Sequence, residues 1–208
     1  MSESNGGFVV TRTGDRQASV ERRTKESDVT VSLVLDGAGA ATISTGVGFF
    51  DHLLTSLAHH ALFDMEVRAT GDVEVDDHHT VEDVALVLGT ALAAALGDRS
   101  GIRRFGDASV PMDEALATAV VDVGGRPYAV IDLPFRGDRV GGLTLQNVEH
   151  ALEAFARTSG TTLHVAGTGR NDHHLAEAAF KAVAIALRAA CEPDARRRGV
   201  ASTKDVLG

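Results

Sequence analysis

The sequence contains little cysteine, no segment typical of export and no excess of basic residues. A single cysteine, Cys191, excludes an intrachain disulfide and gives no sign of an oxidising compartment. The N-terminal residues lack a cationic start followed by a long apolar run, and no uninterrupted apolar stretch has the length that a membrane span requires. These absences predict a cytoplasmic protein without a membrane partner.

Acidic residues outnumber basic ones. The chain carries 29 Asp and Glu against 20 Lys and Arg, a formal net charge of −9, so its average field repels polyanions and argues against a nucleic-acid partner. Any phosphate group must therefore be bound in a local cationic pocket. Hydrophobic residues make up 44% of the 208, which is enough for a buried core in one compact unit or in two small ones.

The hydrophobic pattern predicts strands and helices in a fixed order. Residues 1–18 are polar and Gly-rich, which predicts a flexible N-terminal tail. The first predicted elements are a hairpin over 29–44, a helix over 49–62, a strand over 67–75 and a helix over 78–96. The next are strands over 115–123 and 128–133, a helix over 145–158, a strand over 161–165 and a helix over 172–190.

This repeated order indicates an internal duplication. Aligning His78-His79 with His173-His174 gives an offset of 95 residues, and aligning His52 with His150 gives 98. A repeat of this length is far longer than those of solenoid proteins, so we predict an α+β fold of two half-domains packed as one unit. The predicted segments are an N-terminal tail over 1–18, half-domains over 19–106 and 107–195, and a C-terminal tail over 196–208.

One short motif, HHxxE, occurs twice, at residues 78–82 and 173–177. In each copy the first His and the Glu are four residues apart, so at the start of a helix they lie on one face and can chelate one cation. The second His is rotated by about 100° and points to a different partner. We therefore predict that each helix start holds one metal ion and lends its second imidazole to the other ion.

A lone histidine precedes each motif on the preceding predicted helix, and we expect one of them to complete each site. The predicted metal ligands are His52, His78, His79, Glu82, His150, His173, His174 and Glu177. The spacing leaves open which imidazole joins which ion, and from which subunit. Nitrogen and carboxylate donors without thiolate suit Mn, Fe, Co, Ni or Zn better than Cu(I).

Paired histidines also occur as helix caps or on solvated surfaces, and for a single HHxxE that role would be the commoner one. Six of the nine histidines fall into two matching sets, which favours metal binding. Of the others, His164 lies in an alternating stretch and is interpreted as a structural strand residue. His59 and His60 follow His52 and could reach the site, and His60 is the preferred candidate.

Six segments together resemble the imidazoleglycerol-phosphate dehydratase family of histidine biosynthesis, over roughly Glu21 to the C-terminus. They are residues 49–54 (FFDHLL), 68–72 (RATGD), 78–83 (HHTVED), 101–106 (GIRRFG), 125–128 (GRPY) and 202–204 (STK). The resemblance implies two tandem half-domains like domain 2 of ribosomal protein S5. It also implies dehydration of D-erythro-imidazole-glycerol phosphate to imidazole-acetol phosphate, two Mn²⁺ ions per active site, and an octahedral homo-oligomer (24-mer) with shared sites.

The resemblance also implies roles for individual residues. Glu26 matches the family's catalytic carboxylate and is the preferred base for the carbon proton; Glu177 is the alternative, since as a metal ligand it would have to change coordination. The implied substrate-binding residues are Glu26, His52, His60, His78, Arg104, Arg126, His174, Ser202, Thr203 and Lys204. Arginine forks, a hydroxyl and an ammonium group suit a phosphate dianion.

Two features depart from the family pattern, and two other functions stay open. The segment 165–171 is one residue shorter and richer in Gly than usual, and Ser56 stands where some members carry a substrate-binding Gln. Paired metals are also common in phosphatases, so a dinuclear hydrolase that releases phosphate is one alternative. The other is a protein without enzymatic activity, in which metal ions merely join subunits.

Overall fold

The computed structural model describes residues 2–5 and 7–207, so Met1, Gly6 and Gly208 of the two predicted tails lie outside the described residues. The chain forms an α+β fold of two halves, each a sheet covered by two helices, as predicted. The elements of the first half are β1 (Ser2–Asn5), β2 (Phe8–Gly14), β3 (Gln17–Arg23), β4 (Ser27–Val34), β5 (Ala41–Ser44), α1 (Gly48–Ala61), β6 (Asp64–Gly71) and α2 (His78–Leu96).

The second half repeats this series without the first two strands. Its elements are β7 (Phe105–Met112), β8 (Ala115–Asp122), β9 (Tyr128–Asp132), β10 (Arg139–Val140), β11 (Leu143–Thr144), α3 (Gln146–Ser159), β12 (Thr162–Thr168) and α4 (Asp172–Cys191). Strands β10 and β11 form a small separate hairpin that leads into α3. The four predicted helices are each confirmed to within two residues at either end.

The topology of the two sheets confirms the predicted duplication. The first sheet has the order β1-β2-β3-β4-β6-β5 and the second β7-β8-β12-β9. Strand β5 pairs with β6 in parallel, as β9 does with β12, and the other pairs are antiparallel. The series β3-β4-β6-β5 therefore matches β7-β8-β12-β9 strand for strand, and the β1-β2 hairpin is an addition to the first half.

The helices join the halves in a crossed arrangement. Helix α2 covers the first sheet and contacts α3, whereas α4 covers the second sheet and contacts α1. Gly89 of α2 makes the first contact possible, because a Cβ atom there would lie 2.5 Å from the carbonyl oxygen of Phe155 in α3. One continuous apolar core results, and it runs through both halves.

Three predictions from the sequence are wrong in part. The predicted hairpin over 29–44 does not form, because β5 pairs in parallel with β6, which lies between β5 and β4. The predicted tail over 1–18 instead contributes the strand β2, which pairs with β3, and Phe8 and Val10 pack against the core. A strand near the sheet edge is only half covered, so its polar composition resembles that of a loop. Strand β7 was not predicted, and it begins before the predicted boundary at 106, so the halves divide between Leu96 and Phe105.

Helix α2 is long and apolar enough to cross a membrane by length and composition alone. Its apolar run is interrupted by Glu82 and Asp83, in keeping with the sequence, which has no uninterrupted apolar stretch of that length. Most residues of α2 are buried inside the protein, between the first sheet and α3. A helix that is apolar on most sides is typical of a protein core as well as of a membrane span, and here the core explains it.

Candidate metal and substrate site

Side-chain hydrogen bonds define the starts of the two helices that carry the histidine doublets. The Asn171 side chain accepts a hydrogen bond from the backbone N–H of His173 at 3.0 Å, and Asp76 accepts one from His78 at 2.8 Å. Such acceptors satisfy the free N–H groups of a first helical turn. Each first histidine and the carboxylate four residues later consequently share one face of their helix.

One cluster, here the α4 cluster, consists of His52, His173 and Glu177. Nε2 of His52 lies 3.1 Å and Nε2 of His173 2.9 Å from Oε1 of Glu177. The Phe49 ring forms an apolar wall beside it, with its centroid 4.7 Å from that of His173. The three potential ligand atoms lie within 4.8 Å of one another, which is compact enough for one cation.

The second cluster, here the α2 cluster, consists of His78, Glu82 and His150. The two imidazoles stack with centroids 4.7 Å apart, and Nε2 of His150 lies 3.4 Å from Oε1 of Glu82. Asn147 holds the ring of His78 through its amide oxygen, 3.1 Å from Nδ1, and donates to Asp77 at 3.0 Å. Hydrogen bonds through the buried side chains of Asn147 and Asp77 thus fix the orientation of the His78 ring.

Each cluster draws its lone histidine from the opposite half of the molecule. His52 on α1 reaches the helix start of α4, and His150 on α3 reaches that of α2. The crossed helix contacts, α1 with α4 and α2 with α3, bring these side chains together. The sequence left this pairing open, and the packing of the halves decides it.

The second histidine of each doublet lies outside both clusters. Nδ1 of His79 is 3.0 Å from an oxygen of Asp72, and Nδ1 of His174 is 2.9 Å from Oε2 of Glu114. The hydrogen bond with Asp72 raises the pKa of His79, and that with His174 is the main cause of the lowered pKa of Glu114, about 2. Within one chain these imidazoles are therefore not shared between the clusters, and their role as ligands stays a prediction.

The carboxylates of the two clusters are held in their anionic form. Burial favours the neutral acid, but hydrogen bonds from Lys181 and from both imidazoles of the α4 cluster lower the pKa of Glu177 to about 2. Burial likewise opposes the ionisation of Glu82, yet the hydrogen bond from Arg157 and nearby positive charges lower its pKa. Lys181, 2.8 Å from Glu177, was missed, although its spacing of four residues places it on the same helix face.

The residues present fit divalent transition metals. Nε2 of His150 is buried and has no hydrogen-bond partner in the part of the chain that the structure describes, although Oε1 of Glu82 lies 3.4 Å away. A buried nitrogen of this kind is costly unless something binds it. The donor set of the two clusters is four imidazole nitrogens and two carboxylates without sulfur, which suits Mn, Fe, Co, Ni or Zn.

Glu26 lies immediately before β4 and close to the first doublet. Its side chain is 55% exposed, and its Oε2 atom lies 3.9 Å from Nδ1 of His79. The backbone is fixed by the Thr24 hydroxyl, which accepts from the Glu26 N–H at 3.1 Å. Among the described residues, the Glu26 carboxylate accepts no hydrogen bond, so it is available to a ligand.

His60 and His164 belong to neither cluster. His60 stands edge-on to His59, with ring centroids 5.1 Å apart, and burial and the neighbouring His59 lower its pKa. Its role in substrate binding stays a prediction. His164 is exposed on β12 and pairs in register with Val120 and Val130, in keeping with a structural strand position.

Four residues predicted to bind phosphate line a single pocket of about 250 Å³ together with Thr203, which was predicted to bind substrate: Arg104, Arg126, Ser202 and Lys204. Arg104 is oriented by Asp122, whose two oxygens accept from Nε at 2.7 Å and from Nη2 at 2.9 Å. Nη1 of Arg104 donates to the carbonyl of Ala201 at 2.6 Å, which holds the C-terminal segment against the pocket. Asp122 was missed by the sequence interpretation because nothing local distinguishes it.

The pocket and the two clusters lie at opposite ends of the helices. The backbone N–H of Arg104 donates to the carbonyl of Ala190, near the end of α4, whereas Glu177 lies near its start. At about 1.5 Å per residue, these two positions of α4 are about 20 Å apart along the axis. At the end of α2, Arg99 donates to the carbonyl of Val123, which adjoins the pocket.

Comparisons with known proteins agree on one family. The family profile described as imidazoleglycerol-phosphate dehydratase matches residues 45–187. The chain is 53% identical over 192 residues to the imidazoleglycerol-phosphate dehydratase of Methanococcoides burtonii, covering 92% of this chain and 100% of the relative. It is 54% identical over 204 residues to that of Mycobacterium sp. (strain KMS), covering 94% of this chain and 98% of the relative.

Solved structures give the same result. The crystal structure of this dehydratase from Pyrococcus furiosus superposes with a TM-score of 0.78 at 36% identity, covering 90% of this chain and 99% of the other. The structure from Staphylococcus aureus gives a TM-score of 0.74 at 33% identity, covering 83% and 98%. Likeness in sequence and fold thus spans nearly the whole chain, and the chain belongs to the imidazoleglycerol-phosphate dehydratase family.

Proposed function

We propose that the chain removes water from D-erythro-imidazole-glycerol phosphate to give imidazole-acetol phosphate, at a site formed by the α2 and α4 clusters, Glu26 and the phosphate pocket. The observation that carries the proposal is the pair of clusters, in which two imidazoles and one carboxylate converge at each of two helix starts. The phosphate pocket adds the cationic site that a phosphorylated substrate requires.

The two clusters are suited to hold one divalent ion each, and we assign two Mn²⁺ ions to the active site. When bound, these ions would supply Lewis-acid stabilisation of negative charge on the imidazole ring of the substrate. The α4 cluster would contribute His52, His173 and Glu177. Further coordination positions would be available to His79 and His174 of other copies and to substrate.

Glu26 is the side chain best placed to take the proton from carbon. Glu177 belongs to the α4 cluster, where it would be a ligand of the ion, and its Oε2 atom lies 2.8 Å from Nζ of Lys181. The Glu26 carboxylate is exposed and lies beside His79. A general base has to be free and within reach of the proton that it removes, and Glu26 meets the first condition where Glu177 does not.

Arg104, Arg126 and Lys204 would neutralise the phosphate, and Asp122 fixes the direction of the Arg104 fork. Asp122→Asn is expected to raise KM by about 10-fold with little change in kcat. The substitution weakens the charge-assisted hydrogen bonds that orient the Arg104 guanidinium group, and the phosphate group is bound equally in the ground state and in the transition state. Steady-state kinetics measures this, with Asp15→Asn in the exposed turn between β2 and β3 as the control. An unchanged KM would remove Asp122 from the binding machinery.

The separation of the two sites within one chain supports a shared active site. The three-carbon chain of the substrate is far shorter than the roughly 20 Å of α4 between the α4 cluster and the pocket. One copy would therefore supply metal ligands and another the phosphate pocket, in a closed symmetric assembly. We propose the octahedral 24-mer as that assembly, in the cytoplasm, where the single buried thiol of Cys191 stays reduced.

The second sheet offers a surface for such contacts. Its outer face exposes five large apolar side chains, and exposed apolar patches of this kind mark interaction sites. They are Phe105, Leu116, Val120, Tyr128 and Val130. A second copy is the partner that the proposed assembly supplies.

The proposed reaction is tested by incubating Mn²⁺-loaded protein with imidazole-glycerol phosphate and following the ketone product, with and without a chelator. We expect ketone formation that stops when the chelator is added, without release of inorganic phosphate. Release of phosphate without ketone would instead indicate a dinuclear hydrolase. Stable metal binding with no turnover of any kind would indicate a structural metal protein.

A further inference from the structure

The duplication places a glutamate at the same position of each half. Glu26 is the residue before β4, and Glu114 is the residue before β8, its counterpart in the second sheet. Each lies close to the second histidine of the doublet of its own half. Oε2 of Glu26 is 3.9 Å from Nδ1 of His79, and Oε2 of Glu114 is 2.9 Å from Nδ1 of His174.

The equivalent glutamates have different contacts because the halves differ elsewhere. In the first half, Asp72 directly follows β6 and holds Nδ1 of His79 at 3.0 Å, which leaves Glu26 free. In the second half, β12 is followed by Gly169-Arg170, and no carboxylate stands there. Glu114 therefore makes in the second half the contact that Asp72 makes in the first.

Glu114 is fixed by two further bonds. Its Oε1 atom accepts from the backbone N–H groups of Arg170 at 3.0 Å and Asn171 at 2.7 Å, in the shortened loop before α4. This arrangement leaves Oε2 for the ring of His174. A carboxylate is only an acceptor when ionised, so the ring must carry its proton on Nδ1.

We propose that Glu114 and Asp72 are positioning residues that keep the proton of His174 and His79 on Nδ1 and so leave Nε2 of each ring free to bind a divalent ion. Metal-bound histidines generally donate their other ring N–H to a carboxylate or carbonyl, which fixes tautomer and orientation. The inference rests on the proposed function, because it takes both imidazoles as ligands of an ion completed by another copy. The two glutamates then have separate roles: Glu26 acts on the substrate, and Glu114 positions a metal ligand.

Glu114→Gln separates this role from a purely structural one. The amide oxygen can still accept from Arg170 and Asn171, so the loop stays anchored. The amide NH₂ then meets Nδ1 of His174 as a donor, which forces the ring proton onto Nε2 and removes the lone pair that would bind the ion. A carboxylate-to-amide substitution of this kind can leave the geometry of a site intact while it imposes the wrong tautomer on the neighbouring imidazole.

The experiment uses the Mn²⁺-loaded full-length protein in four forms: wild type, Glu114→Gln, Asp72→Asn and the control Asp15→Asn, an exposed carboxylate in the turn between β2 and β3. The rate of Mn²⁺ loss to excess chelator is measured for each, together with amide hydrogen exchange of residues 168–172. We expect both test variants to lose Mn²⁺ about 10- to 100-fold faster than wild type. The control should match wild type, and exchange in Glu114→Gln should stay unchanged.

The outcomes distinguish this inference from the proposed function. Mn²⁺ retention equal to wild type in both test variants would overturn the positioning role and leave the metal proposal intact. Faster loss that appears only with faster exchange of the loop would show a structural role and also overturn it. Wild-type protein that binds no Mn²⁺ would overturn both proposals.

Discussion

Glu26→Gln is expected to keep the metal content and the assembly of the wild-type protein while kcat falls by about 10²- to 10⁴-fold, the usual contribution of a general acid or base. The reason is that the amide keeps the size of the side chain but cannot take a proton. The carboxylate makes no hydrogen bond with the described residues, so the fold loses little. Steady-state kinetics, metal analysis and sedimentation together measure these three properties.

The matched control is Glu21→Gln, an exposed glutamate of the adjacent strand β3. Its turnover should equal that of wild type, because it removes the same charge without touching the site. Full activity in Glu26→Gln would eliminate Glu26 as the base and return attention to Glu177. Loss of Mn²⁺ together with turnover would instead make Glu26 a structural partner of the metal site.

Glu177→Gln is expected to lose the ion of the α4 cluster and to lower kcat/KM by more than about 100-fold. Outer partners of metal ligands are commonly worth about 10- to 100-fold, so loss of a direct ligand should cost at least the upper end. Glu177 is 8% exposed and sits between two imidazoles and Lys181, so the neutral amide also leaves a lysine charge uncompensated. Metal content per chain and kcat/KM measure the effect.

Glu82→Gln is the matched variant in the other half and should remove the ion of the α2 cluster, leaving that of the α4 cluster in place. Glu192→Gln, an exposed carboxylate just after α4, serves as the control and should bind both ions. Two bound ions and wild-type turnover in Glu177→Gln would contradict the assignment of this carboxylate as a ligand.

Local sequence pattern was enough to predict the helices and the His/Glu pair that one helix contributes to each cluster. The pairs His78 with Glu82 and His173 with Glu177 share a helix face by their spacing, and the structure brings each pair together. The four residues expected to bind phosphate were identified by resemblance rather than by a local pattern, and the structure places them in one pocket. A spacing of four residues acts within a single helical turn, so it can be read without tertiary structure.

Contacts between distant segments could not be predicted in this way. Asp72, Glu114 and Asp122 are ordinary acidic residues in the sequence, and each acquires a role only through the partner that the fold places beside it. The strand β2 was missed for a related reason, because its pairing with β3, rather than its composition, makes it a strand.

The sequence by itself determined the duplicated α+β plan, the two helix starts that carry HHxxE and the family to which the chain belongs. Only the tertiary structure decided that His52 joins the second motif and His150 the first. It also decided that the pocket lined by Arg104 and Lys204 lies at the far end of the helices from the two clusters of the same chain. The physical reason is that helix periodicity is local, whereas the crossed packing of α1 on α4 and of α3 on α2 joins side chains far apart in the sequence, such as His52 with Glu177 and His150 with Glu82.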